Sequence, residues 1–127
     1  MESMKKLSLT EEIVMKAIYD LSEKTENSVG IMEGVSIPNL IEYLRCGYGR
    51  DYARTTVVTF LQRMAAKGAV FTQRRGRISY VMPIYDQEAY RKFLLQQMVE
   101  HWYKGDKDKM MEELEQSVKK GDERNVM

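Results

Sequence analysis

The chain has 127 residues, enough for one compact core and too few for two ordinary independent domains. Its lone cysteine, Cys46, and lone histidine, His101, exclude an intramolecular disulfide, a Cys-rich metal site and a His cluster for catalytic zinc. The formal charge is only +1, yet residues 45–85 hold eight basic residues against Asp51 alone, a net +7, while residues 1–44 sum to −4 and residues 86–127 to −2.

No apolar run is long enough to cross a membrane, and the start MESMKKLSLTEE lacks the apolar stretch of a signal peptide, so a cytoplasmic protein is expected. The spacing of Ile13, Val14, Ala17, Ile18 and Leu21 predicts a helix from Leu9 to Glu23. Two starts fit it: a capping box of Ser8 with Glu11, or Thr10 as a simple cap ahead of Glu11 and Glu12. Residues 24–34 are polar, carry two glycines and show no period, so they read as a loop. Ser36 as cap and Pro38 at an early position announce a second helix with Ile37, Leu40, Ile41 and Leu44 on its apolar side, ended by a turn over residues 46–51.

A third helix runs from Tyr52 or Ala53 to Lys67. Val57, Phe60 or Leu61, and Met64 recur on its inner face, whereas Tyr52, Thr56, Thr59 and Arg63 share the outer one, flanked by Thr55 and Gln62. AVFTQRRGRISYVM then reads as a hairpin whose four tip residues are Arg74, Arg75, Gly76 and Arg77. Three helices and a hairpin in this order make a winged helix-turn-helix. The expected fold is therefore mainly α with a small β-hairpin wing, a winged-helix domain over residues 1–85 and a helical region over 86–127.

In that second region Asp86 caps a fourth helix, on which Tyr90, Phe93 or Leu94, Met98, and His101 or Trp102 form a stripe. Lys104 and Gly105 break it, and Asp106 opens a short fifth helix with Met110, Met111, Leu114 and Val118 on one side, followed by a disordered tail from Gly121. Two such stripes call for a partner subunit, so Tyr90, Leu94, Met98, Trp102, Met111 and Leu114 are assigned to a dimer interface.

The third helix has the dimensions to enter a major groove, with Arg54, Thr55, Thr56 and Thr59 at the end that reaches bases. Three Thr in five positions are poor helix formers, which points to a role other than helix formation. Arg63 lies two turns on, where it meets the phosphate backbone, and Arg74, Arg75 and Arg77 reach flanking phosphates or the minor groove. Read as solvated positions these residues need no DNA, but that leaves the concentration of charge unexplained. Tyr80 and Tyr85 are read as core or interface residues. Cys46 beside Arg45 has a setting that lowers a thiol pKa, although an incidental cysteine is the simpler reading. His101 is read as a helix-terminal or interface histidine before a pH sensor. No nucleophile, base and orienter form a catalytic motif, and no cofactor or metal is expected.

These segments together resemble the penicillinase-repressor (BlaI/MecI) family of bacterial regulators over about residues 8 to 116. The resemblance is carried by LTEEIVMKAIYDL, by DYARTTVVTFLQRMAAKGAV, by RRGRISYVMPIY, and by Glu88-Ala89-Tyr90-Arg91 at the start of the fourth helix. It implies a homodimer joined through its C-terminal helices, bound to an operator of dyad symmetry and repressing transcription. By position it assigns recognition-helix contacts to Arg54, Thr55, Thr59 and Arg63, and wing contacts to Arg75 and Arg77. Where family members are cut by a sensor protease at an Asn-Phe bond, this chain has Glu113-Leu114, so control by that cleavage is not expected. Nor is copper control, which belongs to members with a Cys-rich tail. Two further readings stay open: a protein-interaction module that docks an acidic partner on the basic face, and a repressor governed by a small-molecule effector.

Overall fold

The computed structural model describes residues 4–29 and 34–125, as five helices and three strands: α1 (Leu9–Val29), β1 (Val35–Ser36), α2 (Ile37–Tyr48), α3 (Arg54–Ala66), β2 (Val70–Arg75), β3 (Ile78–Pro83), α4 (Gln87–Trp102) and α5 (Lys107–Asn125). Among the described residues no helix is long and apolar enough to cross a membrane. They fall into two compact units divided between Tyr90 and Arg91.

The start of α1 is settled in favour of the capping box. The Ser8 N–H donates to Glu11 Oε1 at 2.9 Å and the Glu11 N–H to Ser8 Oγ at 3.2 Å, which satisfies two otherwise orphaned donors. Val14, Met15, Ala17, Ile18 and Tyr19 are buried, so the buried face is turned slightly from the expected one, and Ile13 and Leu21 lie half-buried at its border. The expected loop over 24–34 is corrected in its first half, because α1 continues to Val29. Polar composition suggests a loop, but residues 24–29 contain neither Gly nor Pro, and Glu and Lys are good helix formers. Residues 30–33 of that loop lie outside the described residues.

Ser36 caps α2 by accepting from the Asn39 N–H at 3.2 Å, with Pro38 in the first turn. Gly49, at φ +66°, ends the helix in the left-handed region, so Cys46 to Tyr48 are helical and the turn to α3 is shorter than expected. On α3 Val57, Leu61 and Met64 are buried; of the two alternatives Leu61 is the core residue, and Phe60 is half-buried. Tyr52 is not on the open face. It is half-buried edge-on against Phe60, with ring centroids 5.2 Å apart, because it precedes α3 and does not follow the helical period.

The three strands form one antiparallel sheet in the order β1-β3-β2. The third strand, β1, is a two-residue strand that pairs Val35 with Val81 and Ser36 with Tyr80, too short to leave a periodic signal. Arg75 pairs with Ile78, so Gly76 and Arg77 alone make the turn and Arg74 and Arg75 belong to β2, not to the tip. Gly76 takes the first central position at φ +66°, the arrangement a two-residue hairpin turn favours. Together these elements make a winged helix-turn-helix closed around Leu40, Leu44, Val57, Leu61, Met64 and Val81.

One polar contact crosses this core. Glu11, 3% exposed, accepts from Lys67 Nζ at 2.6 Å and ties the start of α1 to the end of α3. Burial alone raises the Glu11 pKa, but the Lys67 ammonium and the Ser8 donors outweigh it and hold the carboxyl below the usual glutamate value of 4.5. A depressed carboxylate adds stability above its unfolded pKa and loses it as pH falls through the folded one. Glu11→Gln is therefore expected to destabilise the protein by about 1 to 2 kcal/mol at neutral pH. In urea unfolding the gap from wild type should close below the usual glutamate pKa; a gap unchanged at acid pH would remove the ion pair from the explanation.

The last two helices start from side-chain caps. Asp86 Oδ1 caps α4 through the Ala89 N–H at 2.8 Å, as expected, and Lys104 (φ +51°) and Gly105 (φ +86°) break the chain. Asp106 Oδ1 then caps α5 through the Lys109 N–H at 3.1 Å. α5 is 19 residues long and runs to Asn125, so the segment expected to be a disordered tail from Gly121 is largely helical; residues 126–127 lie outside the described residues.

Candidate nucleic-acid interface

α3 is held by Val57, Leu61 and Met64, which leaves Arg54, Thr55, Thr59, Gln62 and Arg63 exposed. No acid lies in its first turn and the N-cap, Ala53, offers no side-chain cap. The positive end of the helix dipole is thus uncovered beside Arg54.

The three threonines are not equivalent. Thr55 is exposed; Thr56 is half-buried; Thr59 is exposed, but its hydroxyl donates to the Thr55 carbonyl at 2.9 Å. The Thr59 proton is therefore used within the helix, and its methyl and lone pairs are what it presents.

Two of the eight basic residues in the +7 segment are paired with acids: Arg45 with Glu42, and Lys67 with Glu11. The other six, Arg50, Arg54, Arg63, Arg74, Arg75 and Arg77, are exposed and make no ion pair among the described residues. On the wing, Arg75 lies over the Tyr80 ring at 4.4 Å and donates to Gln73 Oε1 at 3.2 and 3.1 Å. Arg74 Nε donates to the Gly76 carbonyl at 3.0 Å. Arg75 is thereby oriented before any ligand arrives, while Arg77 sits in the turn itself. Tyr80 and Gln73 serve the site as supports that sequence reasoning does not single out. The signal lies in the strand register, since Gln73 and Tyr80 are cross-strand partners and Arg75 lies two residues on from Gln73, on the same face.

Arg50 joins the site residues as well: it is exposed in the turn between α2 and α3, where neither a helical nor a strand period marks it. For Cys46 the simpler, incidental reading is favoured: its thiol donates to Glu42 at 3.1 Å, which pushes its pKa up despite Arg45, so it lacks the thiolate character of a redox sensor. His101 is exposed with a ring nitrogen 3.0 Å from Gln97 Oε1.

In the second unit, Leu95 (53% exposed), Met98 and Trp102 (81%) are spaced i, i+3, i+7 along α4, and Met111, Leu114 and Val118 are exposed with the same spacing along α5. Leu94 is half-buried. Tyr90, which the helical period sets in the same stripe, lies in the first unit. It is 6% exposed, and its hydroxyl accepts from the Leu7 N–H at 3.0 Å and donates to Glu12 at 2.8 Å.

A family model described as penicillinase repressor matches residues 7–126. Among solved structures the chain is similar to the solution structure of the DNA-binding domain of the repressor BlaI, with a TM-score of 0.52 and 24% identity, covering 71% of this chain and 94% of that one. At that identity the likeness speaks for the fold. Among curated proteins none matches the chain.

Proposed function

Because this chain belongs to the penicillinase repressor family, we propose that it is a dimeric transcriptional repressor that sets α3 into the major groove of a dyad operator and its wing on the flanking backbone. The observation that carries this reading is the set of six exposed arginines, without an ion pair among the described residues, distributed over the turn before α3, α3 itself and the wing. Such a surface matches a phosphate backbone, and the uncapped N-terminus of α3 adds a partial positive charge beside Arg54. Arg54, Arg63, Arg74, Arg75 and Arg77 take phosphates; Thr55 and Thr59 lie nearest the bases, and Thr56 stands behind them. Two copies joined through the α4 and α5 stripes would space their recognition helices by about 34 to 36 Å or a multiple of it.

Selection of random duplex DNA by the purified chain at near-physiological salt tests the reading. Recovery of a short inverted repeat is expected; weak, salt-sensitive binding with no enriched sequence would transfer the basic face to an acidic protein partner. The threonines give a finer check. Thr55→Ala should alter base preference more than Thr59→Ala, and Thr59→Ser, which keeps the hydroxyl and removes the methyl, should lower affinity only for sites with thymine at the facing position. Removing one such interaction should cost about 1 kcal/mol, or about fivefold in Kd. Equal effects of Thr55→Ala and Thr59→Ala would contradict the assignment.

A further inference from the structure

Opposite the buried Val57, Leu61 and Met64, α3 turns a second stripe of the same i, i+4, i+7 spacing to solvent: Thr55, Thr59 and Gln62, all exposed. Successive residues of an α-helix are about 100° apart, so Arg54 and Arg63 stand on either side of this stripe while Gln62 lies on it. The stripe continues to Ala66, which is exposed, as is its neighbour Ala65, and both end at Cβ. α3 contains no acidic residue to hold this face away from a polyanion.

The three side chains differ in what their tips present. The Thr59 hydroxyl gives its proton to the Thr55 carbonyl, and Thr55 ends in a single rotating hydroxyl. Gln62 ends in a planar amide that sets a donor and an acceptor side by side, and neither is used by another group among the described residues. In the major groove adenine carries the complementary pair, the N7 acceptor and the N6 amino donor, which one amide spans with two hydrogen bonds. Guanine shows two acceptors there, cytosine a lone donor and thymine a lone acceptor, so each leaves half of the amide unmatched. Glutamine is also a good helix former and needs no base to sit on a solvated face. Its place on the central stripe, with the cationic side chains at the two flanks, is what a surface position chosen for helix formation alone does not explain.

We propose that Gln62 is a specificity-determining residue that reads an adenine through paired hydrogen bonds to N6 and N7, an inference that rests on α3 lying in the major groove as proposed above. From Thr55 to Gln62 the helix rises about 10 Å, the length of about three base-pair steps, so this adenine lies about three positions from the base that Thr55 faces.

Half-site duplexes taken from the sequence that the wild-type chain selects, varied at each position in turn, test this. Wild type should favour adenine at one such position by about five- to 150-fold, the range for one bidentate pair, and should lose that preference when 7-deazaadenine, which lacks N7 but still pairs with thymine, takes its place. Gln62→Ala should bind all four bases there within about twofold of one another. Its Tm should be no lower than that of wild type and its slope of log K against log salt unchanged, because a neutral amide releases no counterion. Gln62→Glu should move the preference to cytosine, whose N4 amino group donates to a carboxylate. An adenine preference kept by Gln62→Ala, or an affinity lost equally for all four bases, would overturn the inference and leave the repressor reading standing. A wild-type chain that selects no sequence would overturn both.

Discussion

Replacing Arg54 and Arg63 together by Ala is expected to lower operator affinity by about 150-fold at physiological salt, on the basis of about 1.5 kcal/mol for each charged hydrogen bond removed. The slope of log K against log salt should become shallower by about 1.8, since each neutralised phosphate contributes about 0.9. Both side chains are exposed and neither forms an ion pair among the described residues, so their removal leaves the core around Val57, Leu61 and Met64 intact. Circular dichroism and Tm of the variant should match wild type. The loss should also be nearly the same for the selected operator and for unrelated duplex, because phosphate contacts position without reading sequence. A variant that loses affinity for the operator alone, with its salt slope unchanged, would move Arg54 or Arg63 from the backbone to a base edge. Arg75→Ala should likewise make the slope shallower by about 0.9, since it removes a guanidinium that the Tyr80 ring and Gln73 already hold in place for a phosphate.

The features legible in the sequence are local ones. The Ser36 and Pro38 start of α2, the Asp86 and Asp106 caps and the Gly76 turn each depend on residues within four positions, and the structure has all of them. The arginine concentration is equally plain, because summing charge requires no geometry. The Glu11 to Lys67 pair is out of reach, since its partners are 56 residues apart and the sequence marks Glu11 only as a helix-start acid and Lys67 only as one of the basic residues of 45–85. The wing tip reads two residues too long because arginine carries no strand signal; only the register puts Arg75 in β2 and near Tyr80. Tyr90 shows the limit of periodicity most directly. A helical stripe says that residues share a face, not which neighbour covers it, and Tyr90 is covered by Leu7 and Glu12 of its own chain while Met98 and Trp102 are left open. Thr59 illustrates the same limit for a functional residue: its spacing sets it with Thr55 and Arg63, but only the folded helix shows that its proton is already donated to the Thr55 carbonyl.

Those open residues set the second large effect. Trp102→Ser combined with Leu114→Ser should convert the protein from a dimer to a monomer in light scattering at micromolar concentration. In the single chain Trp102 is 81% and Leu114 53% exposed, so neither contributes to a core that the double variant would disrupt. A folded monomer with unchanged helicity is expected, and with it a separation of folding from association. Apolar side chains at i, i+3 and i+7 on each of two helices are costly to leave in water, and the proposed self-complementary contact between two copies would cover them. DNA binding should follow the association state. Each monomer keeps its arginine surface and therefore its weak general affinity, but the second half-site is no longer bound intramolecularly, which removes about two to four decades of avidity. A half-site duplex should accordingly bind the variant and the wild type alike, while a full inverted repeat distinguishes them. If the double variant remains dimeric, or if it is monomeric yet binds the full repeat undiminished, the α4 and α5 stripes serve some other partner and the operator is read one subunit at a time.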